Sequence, residues 1–179
     1  MSDVSSSTKH LVLVGLMGAG KTTVGERCAE LLGRAFLDTD ELIVAAAGIS
    51  FEDLWVAEGP QGFRARERVA VADAVASPEA LVISCGGGTV LDPDNRRSLR
   101  ERGVVVWLKA TSAALASRLT GDDTRPLLAG GDRTATLERL SAQREPAYEA
   151  AAHVQVDTEG RTVDEVAAAV VEEYRAWNG

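Results

Sequence analysis

GLMGAGKTT, residues 15–23, places three glycines and a lysine directly behind the apolar run LVLV at residues 11–14. Gly15, Gly20, Lys21 and Thr22 satisfy G-x-x-x-x-G-K-[ST]. They do so between a run that reads as a buried strand, residues 10–14, and a segment, residues 21–32, whose apolar spacing reads as a helix stopped by Gly33. Glycines let successive backbone N–H groups turn inward around phosphate oxygens, and the helix behind adds the positive end of its dipole. Lys21 is then placed to reach the β and γ phosphates, and the Thr22 hydroxyl to ligate Mg²⁺. The stretch predicts a nucleoside triphosphate site, with Gly18, Ala19, Gly20, Lys21, Thr22 and Thr23 around the phosphates.

Outward from this loop, apolar runs alternate with helix-like segments. Residues 35–37 read as a strand leading into Asp38, Thr39 and Asp40, followed by a helix over 41–47 that Gly48 stops. Ser50 and Asp53 form a capping box for a helix to residue 57, and Pro60 suits the first turn of another over 60–76. A buried strand at 81–84 runs into Gly86, Gly87 and Gly88. A polar helix at 92–102, a strand at 104–108 and a helix capped by Thr111 and ending at 119 come next. Residues 120–133 are rich in Gly, Asp and Thr without apolar periodicity and read as a mobile loop. A helix over 134–151 kinked at Pro146, a strand at 154–156 and a helix to 177 capped by Thr162 and Glu165 complete the chain. Strands alternating with helices predict an α/β three-layer sandwich with a mostly parallel five-stranded sheet. One domain accommodates the whole chain, with residues 1–8 as a frayed tail.

Charge narrows the partners. The 179 residues carry a formal net charge of -8, which disfavours electrostatic binding to nucleic acid or to an acidic membrane surface. Any bound anion must be held locally, and Lys9, Lys21 and Lys109 are the only lysines among 19 basic residues. Cys28 and Cys85 lack metal-ligand spacing and fit free thiols in a reducing cytosol. No run approaches the ~18 apolar residues of a membrane span. A cytoplasmic monomer is the expectation.

A phosphate loop does not name its acceptor. Asp38 and Asp40 stand at the carboxyl end of the second strand, where open α/β sheets bind ligands. The two carboxylates need not do the same job: one can face a metal and the other an acceptor hydroxyl whose proton it takes; alternatively they cap the helix at Glu41. Within FRARER, residues 63–68, Glu67 shares a helix face with Arg64. Either this is a solvated salt-bridged face, or one arginine forks onto a carboxylate in the cleft. Gly86, Gly87 and Gly88 either bring bare backbone against a ligand or make a tight turn. Ser84 stands at a strand end where a second metal-site residue is often found, but no Walker-B aspartate is present there.

In order, GLMGAGKTT, LDTD at 37–40, GFRARE at 62–67, GGG at 86–88, TRPLL at 124–128 and REPAY at 144–148 resemble the shikimate kinases, over residues 11–158. The resemblance implies a P-loop fold of the nucleoside monophosphate kinase type, with residues 41–76 as the shikimate-binding helical region and 120–133 as a lid. It implies ATP-dependent phosphorylation of the 3-hydroxyl of shikimate, with Mg²⁺, in aromatic amino-acid biosynthesis. Asp40 would be the base on the acceptor hydroxyl; Arg64 and Arg144, with Gly86, Gly87 and Gly88, would hold the acid. Asp38 would lie near Mg²⁺ through water, Arg125 would close over the phosphates, and Arg118, Asp157 and Thr158 would hold the adenine. Phe51, Trp55 and Phe63 would line the acceptor pocket, or serve as ordinary core residues. Thr22 replaces a commoner serine and Trp55 a frequent phenylalanine. His10 and His153 match no catalytic position and read as structural. The alternatives are another small-molecule P-loop kinase, such as one acting on gluconate, and a non-catalytic nucleotide-binding switch; neither accounts for the ordered LDTD, GFR and GGG set.

Overall fold

HLVLV and GVVVWLK are apolar without alternation because both faces of their sheet are covered. The computed structural model describes residues 9–119, 128 and 131–178. Five strands, β1 (His10–Val14), β2 (Phe36–Asp38), β3 (Val82–Ser84), β4 (Gly103–Lys109) and β5 (Val154–Asp157), lie in the order β2-β3-β1-β4-β5. Every pairing is parallel. The connecting helices are α1 (Lys21–Leu32), α2 (Thr39–Ala47), α3 (Phe51–Val75), α4 (Pro93–Arg102), α5 (Ser112–Arg118), α6 (Arg133–Ala151) and α7 (Val163–Asn178). Right-handed crossovers put α1 and α7 together on one face, and α3, α4 and α6 on the other.

Local chemistry sets most of the boundaries. Gly33, at φ 63°, closes α1 with its N–H on the carbonyls of Ala29 and Glu30. Ser50 Oγ accepts from Asp53 N at 3.1 Å and donates back to its carboxylate at 2.9 Å. Thr162 and Glu165 cap α7 reciprocally, at 2.7 and 3.2 Å. The two helices read at 51–57 and 60–76 are arms of one bent element, broken at Gly59, whose φ of 66° and ψ of -177° are not helical.

Three details differ from the sequence reading. α2 begins at Thr39, two residues early, because Asp38 is its cap; Asp40 therefore stands in the first helical turn rather than in extended chain. A single 3₁₀ turn, Thr89–Leu91, follows the glycine triplet where only a connection was expected. α6 continues through Pro146 as one element, its turns on either side anchored by the buried Arg144 and Tyr148.

The main core lies around β1, β3 and β4, and a smaller one, Ile43, Leu54, Phe63 and Ala70, sits between α2 and α3. Both histidines are structural. His10 Nδ1 accepts from Leu81 N at 3.0 Å with Nε2 facing the Val75 carbonyl, and His153 Nδ1 accepts from Val105 N at 3.0 Å. Among the described residues no helix is long and apolar enough to cross a membrane. Residues 1–8, and the lid segment 120–133 apart from Leu128 and residues 131–133, lie outside the description, and Arg125 with them.

Candidate active site

The parallel sheet delivers three loops to one edge: the phosphate loop after β1, Asp38 to Asp40 after β2 and the glycine triplet after β3. In the first, Gly15, Gly18 and Gly20 adopt φ of 149°, 82° and 91°, values a side chain rarely tolerates. That backbone curls in front of α1, and Lys21 Nζ donates to the Leu16 carbonyl at 3.0 Å across it. Thr22 Oγ1 donates to Asp38 Oδ2 at 3.0 Å, bringing the hydroxyl and the carboxylate expected near a metal into contact.

A cleft opens along this loop, lined by residues 18–24 together with Arg118, Leu119, Thr158, Arg161, Val163 and Val166. Arg118 spans it, donating to the Gly18 carbonyl at 3.2 Å and to Thr158 Oγ1 and O at 3.0 and 3.1 Å. Thr158 is itself fixed by Oγ1 donating to the Lys109 carbonyl at 2.9 Å. Asp157 stands apart from this lining: its side chain is exposed and accepts from Glu159 N at 2.9 Å, capping a turn. Arg161, Val163 and Val166 were not singled out from the sequence, because they follow β5 in a stretch without a motif.

Asp38 and Asp40 take separate directions because α2 starts between them. Asp38 Oδ1 caps α2 through Asp40 N at 2.9 Å and Glu41 N at 3.4 Å, while Oδ2 meets Thr22. Asp40, one helical step on, faces the triplet: a Cβ added to Gly86 would lie 2.5 Å from Asp40 Oδ1 and 3.1 Å from Glu67 Oε1. A second cleft is lined by Asp40, Met17, Phe51, Trp55, Phe63, Arg64, Glu67, Gly86, Gly87, Gly88 and Arg144.

The structure separates the arginines of FRARER. Arg66 forks onto Glu58 at 2.8 and 2.6 Å, and Arg68 pairs with Asp92 at 2.7 Å, both on the surface. Arg64 alone enters the second cleft, donating Nη1 to Glu67 Oε2 at 2.7 Å. Glu67 is completely buried and also accepts from Thr89 Oγ1 at 2.7 Å. The i,i+3 spacing exposed the Arg64–Glu67 pair in the sequence but not its burial. Arg144, 6% exposed, approaches from α6, with Nη1 3.2 Å from where a Gly87 side chain would begin.

Beside Arg144, Tyr148 donates to the Gly87 carbonyl at 2.5 Å. Burial pushes its phenol up to about 12, against the opposing pull of Arg144. Phe51, Trp55 and Phe63 prove to be cleft wall and core at once, with ring centroids 4.9 to 5.8 Å apart. Cys85, next to Gly86, is driven upward by burial and by the charges of Glu67, Asp38 and Asp40, so its thiol stays protonated and supplies no nucleophile. Cys28 is likewise pushed up to about 12 by burial.

Asp38, hydrogen-bonded to Thr22 of the first cleft and to the backbone N–H of Asp40 of the second, links the two: one offers turned backbone and cations for polyphosphate, the other a carboxylate and two arginines for a small hydroxylated acid. The family model described as shikimate kinase matches residues 17–175. A shikimate kinase of Symbiobacterium thermophilum is 47% identical over 168 residues, 93% of this chain and 96% of that protein. A solved structure of shikimate kinase from Acinetobacter baumannii in complex with shikimate superposes with a TM-score of 0.91 at 36% identity, covering 95% of this chain and 94% of that one. A gluconokinase from Sinorhizobium meliloti, at 18% identity and a TM-score of 0.64 over 96% of this chain and 94% of that one, shares the fold alone. With most of its length matched by the family model and nearly half its residues shared with a relative of the same size, the chain belongs to the shikimate kinase family.

Proposed function

We propose that the chain transfers the γ-phosphoryl group of ATP to the 3-hydroxyl of shikimate, giving shikimate 3-phosphate and ADP in aromatic amino-acid biosynthesis. The observation that carries this reading is the meeting of Asp40, Arg64, Arg144 and the glycine triplet in one cleft beside the phosphate loop. Arg64 and Arg144 bind the shikimate carboxylate, with backbone of Gly86, Gly87 and Gly88 closing on the ring. Asp40 orients the 3-hydroxyl and takes its proton as the oxygen bonds to the γ-phosphorus and the bond to the ADP oxygen breaks. Lys21 and the N–H groups of residues 18–23 balance charge on the phosphates, while Arg118 and Thr158, with Arg161 and Val163, flank the base. Positioning and charge neutralisation account for most of the rate.

Thr22 and Asp38 fit Mg²⁺, which prefers hard oxygen ligands and keeps several waters. Among the described residues no group of three or more His, Cys, Asp or Glu could cage a metal, so an ion here would depend on the nucleotide's phosphate oxygens. The ion would add positive charge at the β and γ phosphates; Thr22 would ligate it and Asp38 would hold one of its waters. The whole chain is one kinase domain, with residues 41–76 as its acceptor-binding region. We take the chain to act as a monomer.

ADP release measured against a panel of hydroxy acids tests the assignment. Turnover is expected with shikimate and not with gluconate; turnover with gluconate alone would transfer the site to another acceptor.

A further inference from the structure

Gly88 and Thr89, adjacent in the chain, act on Arg64 from two sides. A Cβ on Gly88 would overlap Nη1, Nη2 and Cζ of Arg64, so the guanidinium rests against a bare α-carbon. Thr89 reaches the arginine through Glu67. Its hydroxyl donates to Glu67 Oε1 at 2.7 Å, while Glu67 Oε2 accepts from Arg64 Nη1 at 2.7 Å. Glu67 and Thr89 are both 0% exposed.

Thr89 is itself held: its N–H donates to the Gly86 carbonyl at 3.1 Å, and its own carbonyl accepts from the buried Asn95 Nδ2 at 3.1 Å. A buried carboxylate with a different donor on each oxygen is fixed in rotation about its terminal bond. Remove the hydroxyl, and Glu67 gains by turning both oxygens onto Arg64 as a fork, which draws the guanidinium's outward donors back from the cleft.

We infer that Thr89 is a positioning residue for recognition of the acceptor's carboxylate: through Glu67 it sets the rotation of the Arg64 guanidinium, whose height Gly88 sets directly. The inference rests on the shikimate reading, since it needs Arg64 to meet the substrate acid. Residue 89 falls just past the glycine triplet and in none of the quoted motifs, and its role follows from the 3₁₀ turn that carries it over Glu67.

Steady-state kinetics of the full chain with ATP and shikimate, for wild type, Thr89→Val, Thr89→Ala and Thr89→Ser, tests it. Thr89→Val and Thr89→Ala are expected to raise the KM for shikimate about tenfold while the KM for ATP stays within about twofold, and Thr89→Ser to restore both. Should Thr89→Val fail to fold, Thr89→Ala, which sets no extra methyl against Glu67, carries the same comparison. A shikimate KM unchanged in the variants lacking the hydroxyl overturns the inference. So does an equal rise in both KM values, which marks general loosening, or a serine variant that behaves like valine. Wild type that turns over no shikimate overturns the substrate reading and the inference with it; wild type that does so while the variants match it overturns the inference alone.

Discussion

The phosphate loop and the glycine triplet end neighbouring strands, β1 and β3, and each holds three glycines, yet they need them for different reasons. Gly15, Gly18 and Gly20 all have positive φ, whereas none of Gly86, Gly87 and Gly88 does. At Gly20 an added Cβ would find nothing nearer than Val24 Cγ2 at 3.7 Å, while at Gly15 and Gly18 it would meet backbone, the Leu108 and Leu115 carbonyl oxygens at 2.6 and 3.1 Å, rather than a charged side chain. At each position of the triplet it would meet a charged side chain: Asp40 and Glu67, then Arg144, then Arg64. The first loop uses glycine to turn backbone toward phosphate; the second uses it to leave volume for side chains arriving from α2, α3 and α6. On the proposed reading, the phosphate side rests mainly on one stretch of chain, and the acceptor side is assembled from four.

The contrast makes the two sides separable by mutation. The largest effect is expected from Lys21→Met, which should lower turnover by about 10³-fold or more while calorimetric binding of shikimate persists. Loss of that binding too would mean that the clefts form one unit. Gly88→Ala comes next: its backbone conformation suits alanine, but its Cβ evicts Arg64, so the KM for shikimate should rise roughly 10- to 100-fold with the KM for ATP little changed. Gly20→Ala should do the reverse, meeting no clash but incurring about 1–2 kcal/mol of backbone strain, read as several-fold weaker ATP binding with shikimate affinity intact.

The smallest effect lies outside both clefts. Burial, then the charges of Arg100 and Lys9, push His153 down from 6.5 to about 4. The unfolded chain therefore takes up a proton that the folded one refuses, and stability present above pH 6.5 is lost as the pH falls toward 4. Between about pH 6.5 and 4.5 the melting temperature of wild type should fall by roughly 2 °C more than that of His153→Asn, a small figure because the ring is partly exposed. Neither KM should respond.

What the sequence disclosed follows the same division. The phosphate loop was legible because its geometry is local, and the alternation of strands and helices because burial on both faces leaves unbroken apolar runs. The acceptor side was legible only as an ordered set of short motifs. Glu67 three residues after Arg64 reads alike on a solvated face and in a core; what decides is a turn more than twenty residues later that brings Thr89 over it. Asp38 and Asp40 take separate directions because a helix starts between them, a boundary the sequence reading set two residues later. Asp157 was placed by resemblance and turns to cap its own loop; Arg161 owes its position to β5 and left no local signal, and Tyr148 stood in REPAY without a role that the motif assigns.

The two cysteines give this division a clock. Cys28 is sealed where α1 meets α7, its Sγ 3.7 Å from the Ala167 carbonyl, and Cys85 lies beneath the glycine triplet; both are essentially unexposed. As protonated, sealed thiols they react with an alkylating reagent only when their surroundings open. Labelling of Cys28 therefore times the loosening of the packing behind the phosphate loop, and labelling of Cys85 that of the acceptor floor. Nucleotide should slow the first and acceptor the second, so mass spectrometry of a single reaction mixture reads the breathing of each half separately.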